Sequence, residues 1–244
     1  MALFGAGTTG TEISFGDLST VANRSSITVA GWFRFADLAV RQDIITQWGW
    51  SGTRNFNLLV GVTARRAQFY ISNDGSVGLT SGADTTDLLT NVWYHLAGVY
   101  DGSTAYLYRD GVLVNSASVG TFSTFDSTAS VKIGNNSETT ERNINGSVAE
   151  VGIWADALTS AELFRLASGE RNRVIRRESL VLNAALTGLT GNELERIDQA
   201  IATPANMFRV DHPPDLRAVS RVMSRVKIPA APPITRRKQL LSAF

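Results

Sequence analysis

Two Asp-Gly pairs, Asp101-Gly102 and Asp110-Gly111, divide one stretch of the chain into three apolar runs at residues 93–100, 104–108 and 112–114. Asp-Gly suits the positive φ of a tight hairpin turn, so this stretch is predicted to be a three-stranded meander. Much of the remaining chain reads in the same way, as short β-compatible runs separated by Gly, Asn, Asp and Ser. Residues 12–15 form one such run. Residues 26–35 alternate well and place Ile27, Val29, Phe33 and Phe35 on one face. Residues 56–62, 67–72, 131–134 and 148–154 are further runs, and residues 179–186 and 207–210 are expected as closing strands.

One helix is signposted. Thr159-Ser160-Ala161-Glu162 fits a capping box, with Thr159 as N-cap and Glu162 at the third helical position. Leu158 and Leu163 sit where a hydrophobic staple would pack, and Gly169 is a suitable terminator. Many short strands with one brief helix predict an all-β fold: an antiparallel two-sheet jelly-roll sandwich.

Composition narrows the function classes. Apolar residues make up 43% of the chain, with 5 Trp and 11 Phe, which is enough for a real core. The absence of Cys removes any disulfide framework or Cys-based metal site and tilts the reading toward a cytosolic origin or a virion. Residues 1–25 lack the basic start and apolar run of a signal peptide, and no apolar stretch reaches membrane-spanning length. A cytosolic origin or a virion is therefore expected, with no membrane contact.

Charge is uneven along the chain. Residues 1–211 hold 16 Lys/Arg and 21 Asp/Glu, a net −5, while residues 212–244 hold 7 Lys/Arg and 1 Asp, a net +6. No proline precedes Pro204, whereas Pro213, Pro214, Pro229, Pro232 and Pro233 crowd the end. A boundary is expected near residue 211, between a sandwich at 1–211 and an extended basic arm at 212–244.

Several motifs resemble the concanavalin A-like, LamG/pentraxin-like jelly rolls. They include the strand that runs from Trp93-Tyr94-His95-Leu96 to Tyr100-Asp101-Gly102, and the hairpin Tyr106-Leu107-Tyr108-Arg109-Asp110-Gly111. They also include residues 26–35, and Ile144-Asn145-Gly146-Ser147-Val148-Ala149-Glu150 continuing through Trp154 to Leu163. The motifs occur in the family's order and cover roughly residues 3–211. The resemblance implies two stacked antiparallel sheets and a binding or structural role. Where the family usually has Asp before Glu150, this chain has Ala149, which removes any polar or metal-binding role of an acid there.

Catalysis is not expected. A Ser-His-acid arrangement needs an oriented histidine. His95 reads as a strand residue with satisfied hydrogen bonds, and His212 as part of the exit into Pro213-Pro214. Sugar hydrolysis needs paired carboxylates, and Glu150 stands alone in an apolar strand. The chain is read as no enzyme, with no cofactor. Calcium is the one ion considered, with Asp126, Asn135, Asn136 and Glu138, or Asp84 and Asp87, as loop oxygens; such residues also simply form turns. Trp48 and Trp50 flank Gly49 and could stack on a glycan, against the alternative of core or rim packing.

The arm carries the expected partner contact. Leu216, Val219, Val222, Met223 and Val226 recur at helical spacing beside Arg217, Arg221 and Arg225. Arg236, Arg237 and Lys238 add charge, and Leu240, Leu241 and Phe244 give an apolar end. Docking on a neighbouring protein subunit is expected, with self-association into a homo-oligomer. Nucleic acid is disfavoured because no aromatics are interleaved with the cations. The expected function is that of a virion structural protein, a capsid decoration or cement protein anchored by its arm. The alternative is a carbohydrate-binding or adhesion module.

Overall fold

A computed structural model describes residues 2–4, 12–61, 65–139, 141–170, 175 and 179–184. In chain order the strands are β1 (Ala2–Phe4), β2 (Ile13–Ser14), β3 (Ile27–Phe35), β4 (Gln42–Trp48), β5 (Arg54–Val60), β6 (Ala67–Ile71) and β7 (Leu79–Ala83). They continue with β8 (Trp93–Tyr100), β9 (Thr104–Arg109), β10 (Val112–Ser118), β11 (Val131–Ile133) and β12 (Gly146–Trp154). A 3-10 turn at Ser19–Val21, helix α1 (Ser160–Ala167) and β13 (Leu180–Ala184) complete the described elements.

The strands form two antiparallel sheets. One has seven strands in the order β1-β12-β3-β8-β9-β10, with β13 also on β12; the other has six, in the order β2-β11-β4-β5-β6-β7. Alternation explains the core. Ile27, Val29, Phe33 and Phe35 of β3 meet Phe56, Leu58 and Val60 of β5 and Phe69 of β6 in one buried cluster between the sheets. At Gly98 of β8 the Phe69 ring occupies the space a Cβ would need, so the sheets approach there only because the residue is glycine.

The predicted meander is β8-β9-β10. Asp110 and Gly111 both take positive φ, 53° and 78°, as a type I′ hairpin turn requires. Helix α1 also follows its signals. The Thr159 hydroxyl accepts the Glu162 N–H at 3.3 Å, while the Glu162 carboxylate accepts the Thr159 N–H at 2.8 Å. Leu158 and Leu163 are both buried in a second apolar cluster. Past the helix, Gly169 (φ 94°) donates to the Leu166 carbonyl and Glu170 to the Arg165 carbonyl, a Schellman termination.

Three strands had no clear sequence signal, β1, β4 and β7. All seven residues of β4 are buried although Gln42, Asp43, Thr46 and Gln47 are polar, and register shifts between Asp43 and Ile45 and between Gln47 and Trp48 break the two-residue alternation. The expected closing strand at 207–210, the boundary near residue 211 and the arm at 212–244 lie outside the described residues. Among the described residues no helix is long and apolar enough to cross a membrane.

The outer faces of the two sheets are covered differently. On the seven-stranded sheet, α1 and Ile175 pack Leu158, Leu163 and Leu166 over Ala30, Ala97, Val99, Tyr108 and Trp154. On the six-stranded sheet, residues 134–145 run along β4. They are fixed by hydrogen bonds from the N–H groups of Gly134 to Ile44 O (3.0 Å) and Ser137 to Trp48 O (2.8 Å), and from Asp43 N–H to Arg142 O (3.0 Å).

Candidate functional site

The segment 134–145 brings a charged network onto β4. Asp43 lies at the start of that strand, and its side chain is fully buried. Its carboxylate accepts from Arg41 Nε at 2.8 Å and Nη2 at 3.3 Å, and also from Asn136 Nδ2. Arg142 Nη1 stands 3.9 Å away. Burial pushes the Asp43 carboxyl above its ordinary range, and the Arg41 and Arg142 charges oppose that shift.

Arg142 also reaches Glu138, four residues back, at 2.6 Å. The other Glu138 oxygen accepts from Arg54 Nη2 at 3.0 Å. Arg54 is held in turn by the Ser76 carbonyl at 2.6 Å, and its guanidinium lies 5.4 Å from the centre of the Trp48 ring. Trp48 packs edge-on against Tyr70 of β6, with centroids 6.1 Å apart. Each ion pair is joined to the next through a shared side chain, from Arg41 to Arg54. Such a network loses less side-chain freedom per contact than isolated surface pairs do.

Next to this network is an open depression of about 540 Å³, lined by Val40, Arg41, Trp50, Glu138, Thr139, Glu141 and Arg142. Trp50 stands out because 67% of it is exposed. Its backbone is nevertheless fixed: the Trp50 carbonyl accepts both the N–H (2.9 Å) and the hydroxyl (2.8 Å) of Thr53. Gly52 (φ 92°) completes that turn and donates to the Gly75 carbonyl at 2.8 Å. A large amphipathic ring is thus presented to solvent from a rigid hairpin, beside Arg41, Glu138 and Arg142, whose charges already have partners.

The other sequence candidates are placed as follows. Trp48 and Trp50 do not form one surface, because Trp48 is buried under Arg54. The candidate calcium oxygens do not converge. Both Glu138 oxygens sit on guanidinium groups, and Asn136 Oδ1 accepts the Glu138 and Thr139 N–H groups. Asn135 Nδ2 donates to Glu12, Asp84 pairs with Arg109 at 2.6 Å, Asp87 pairs with Arg66 at 2.7 Å, and Asp126 accepts from Asn23. Calcium needs six to eight oxygens, so this donor set does not fit it. Among the described residues no three His, Cys, Asp or Glu side chains cluster as a metal site would require.

His95 corrects a further expectation. It is a β8 residue, 1% exposed and edge-on to Trp32, but its Nδ1 has no hydrogen-bond partner. Burial lowers its pKa to about 4, so it is neutral at physiological pH. Glu150 lies at an irregularity in β12, with φ 49°. His212 and every arm residue from Leu216 to Phe244 lie outside the described residues.

Sequence reasoning did not single out Arg41, Asp43, Arg54, Glu141 or Arg142. Two local signals existed, the i,i+4 spacing of Glu138 and Arg142 and the i,i+2 spacing of Arg41 and Asp43. The other contacts are distant in sequence: Arg54 and Glu138 are 84 residues apart, and Asp43 and Asn136 are 93 apart.

Comparison with known proteins agrees with this architecture. The family model described as the concanavalin A-like lectin/glucanases superfamily matches residues 7–164. The fold is similar to that of the heptameric SAP-like pentraxin from Limulus polyphemus, with TM-score 0.56 and 16% identity over 70% of this chain and 82% of that one. It is similar to the CBM40 of a Ruminococcus gnavus IT-sialidase, with TM-score 0.51 and 18% identity over 62% of this chain and 91% of that one. It also resembles the binding domain of botulinum neurotoxin serotype G, with TM-score 0.52 and 13% identity over 68% of this chain and 41% of that one. At such identities these are likenesses of fold. No curated protein sequence matches the chain.

Proposed function

The chain belongs to the concanavalin A-like lectin/glucanases superfamily, and from that premise we propose that it is a non-enzymatic carbohydrate-recognition module that binds at the Trp50 depression. The observation that carries this reading is the exposed indole on a fixed turn, next to a pre-paired set of Arg and Glu side chains. A sugar ring has an apolar C–H face and a rim of hydroxyls. The indole suits the face, and guanidinium and carboxylate groups suit the rim as donors and acceptors. A fixed site needs little ordering on binding, which favours affinity. A carbohydrate-binding module among the proteins of similar fold is consistent with this reading.

The charged groups support binding and not catalysis. Asp43 and Glu138 are each tied to two arginines, which suits them to hold a scaffold and not to pass protons. Glycan-array binding by the full chain, followed by the same assay on Trp50→Ala, tests the reading. Binding that Trp50→Ala weakens about tenfold or more is expected. A blank array across many glycans would overturn it.

A second proposal concerns residues 212–244 and rests on their net +6 and their prolines. It holds that this arm anchors the chain to an acidic protein surface in a larger assembly, such as a viral capsid, with several copies of the chain present. Full-length chains carrying Arg236→Glu, Arg237→Glu and Lys238→Glu should then bind such particles more weakly. Unchanged binding would contradict the anchoring.

A further inference from the structure

We infer that the ligand of the Trp50 depression is a neutral saccharide and not an acidic one, an inference that rests on the glycan reading above. The charges at the site balance. Arg41, Arg142 and, behind them, Arg54 face Asp43, Glu138 and Glu141. The arginines are also committed. Arg41 makes two contacts to Asp43, and Arg142 bridges Glu138 and Asp43.

An acidic ligand would have to draw a guanidinium away from a carboxylate of its own fold. The Asp43 side chain is fully buried and that of Glu138 only 12% exposed, so neither could turn to water in compensation. A cationic ligand would meet the Glu141 carboxylate, which lies outside the ion-pair network, but also two guanidinium groups at the same lining. A neutral polyol faces neither obstacle. It can accept from guanidinium N–H groups and donate to carboxylate oxygens while every ion pair stays closed. The exposed face of Trp50 then takes the C–H side of one ring.

Salt gives the discriminating test, because screening weakens attraction between exposed charges and leaves neutral stacking and hydrogen bonding largely unaffected. The full chain would be titrated calorimetrically with neutral oligosaccharides (cellohexaose, xylohexaose, mannohexaose) and with acidic ones (sialyllactose, oligogalacturonate), at about 50 and about 500 mM NaCl. The expected result is binding among the neutral probes, with Kd changed less than about twofold by salt. Trp50→Ala should weaken that binding about tenfold or more with an unchanged thermal melt, since the side chain it removes is mostly exposed. Binding confined to the acidic probes, or an affinity that falls about tenfold with salt, would overturn the neutral class and leave glycan recognition standing. Failure of every probe to bind the folded chain would overturn the glycan reading and this inference with it.

Discussion

The outer face of the seven-stranded sheet lies under an apolar helix, whereas that of the six-stranded sheet lies under a polar segment, residues 134–145. On the first face the contacts are side chain to side chain, with Trp154 fully buried and its indole N–H on the Ile175 carbonyl at 2.9 Å. On the second they are backbone hydrogen bonds and linked ion pairs that converge on Asp43 and Glu138. Apolar burial stabilises strongly and is indifferent to direction; charged pairs add little net stability but fix geometry closely. One cover therefore serves mainly to hold the fold, and the other serves to hold side chains in set positions.

That division can be broken by substitution. Trp154→Ala should have the largest effect, a loss of about 4 kcal/mol from the cavity and the lost indole bond, read by urea unfolding. Whatever fraction stays folded should bind ligand normally.

A pH titration compares the two faces next. His95 belongs to the helix-bearing sheet, and burial holds its pKa at about 4 against 6.5 for a free histidine. The unfolded chain takes the proton first as pH falls, so this contribution to stability is complete above pH 6.5 and declines toward pH 4. The expected loss by pH 4 is about 3 kcal/mol, and His95→Gln should remove the slope. Asp43, on the opposite sheet, runs the other way. Its folded pKa is raised, so its contribution is most favourable below 3.8 and is lost as pH rises through the folded value.

Asp43→Ala should cost less, about 2 kcal/mol, because Arg41 and Arg142 are each partly exposed and can regain water. Its distinctive signature should be faster amide exchange across residues 134–145 with α1 unaffected. Loosening of both covers together would mean that they are not separate devices. Trp50→Ala should be the mildest for stability, within about 0.5 kcal/mol, while weakening ligand binding.

What the sequence revealed follows the same division. The helix-side elements were legible because their signals are local. Thr159 and Glu162 are three residues apart, Gly169 follows the helix directly, and Asp110-Gly111 lies between the strands it joins. The residues of the polar face were mostly illegible. β4 buries polar and apolar residues alike across two register shifts and so shows no alternation, and Asp43 finds Asn136, 93 residues away, only in the folded chain. Trp50 was singled out together with Trp48 as one aromatic pair. Separating them required Arg54, which covers Trp48 and leaves Trp50 alone in solvent.

Hydrogen exchange of the full chain, with and without a saturating neutral oligosaccharide, tests most directly whether the polar cover is the binding face. Added protection is predicted across residues 136–142 and the hairpin at 49–53, with α1 unchanged. Protection that appears over α1, or ligand binding that leaves both polar segments unaltered, would contradict it.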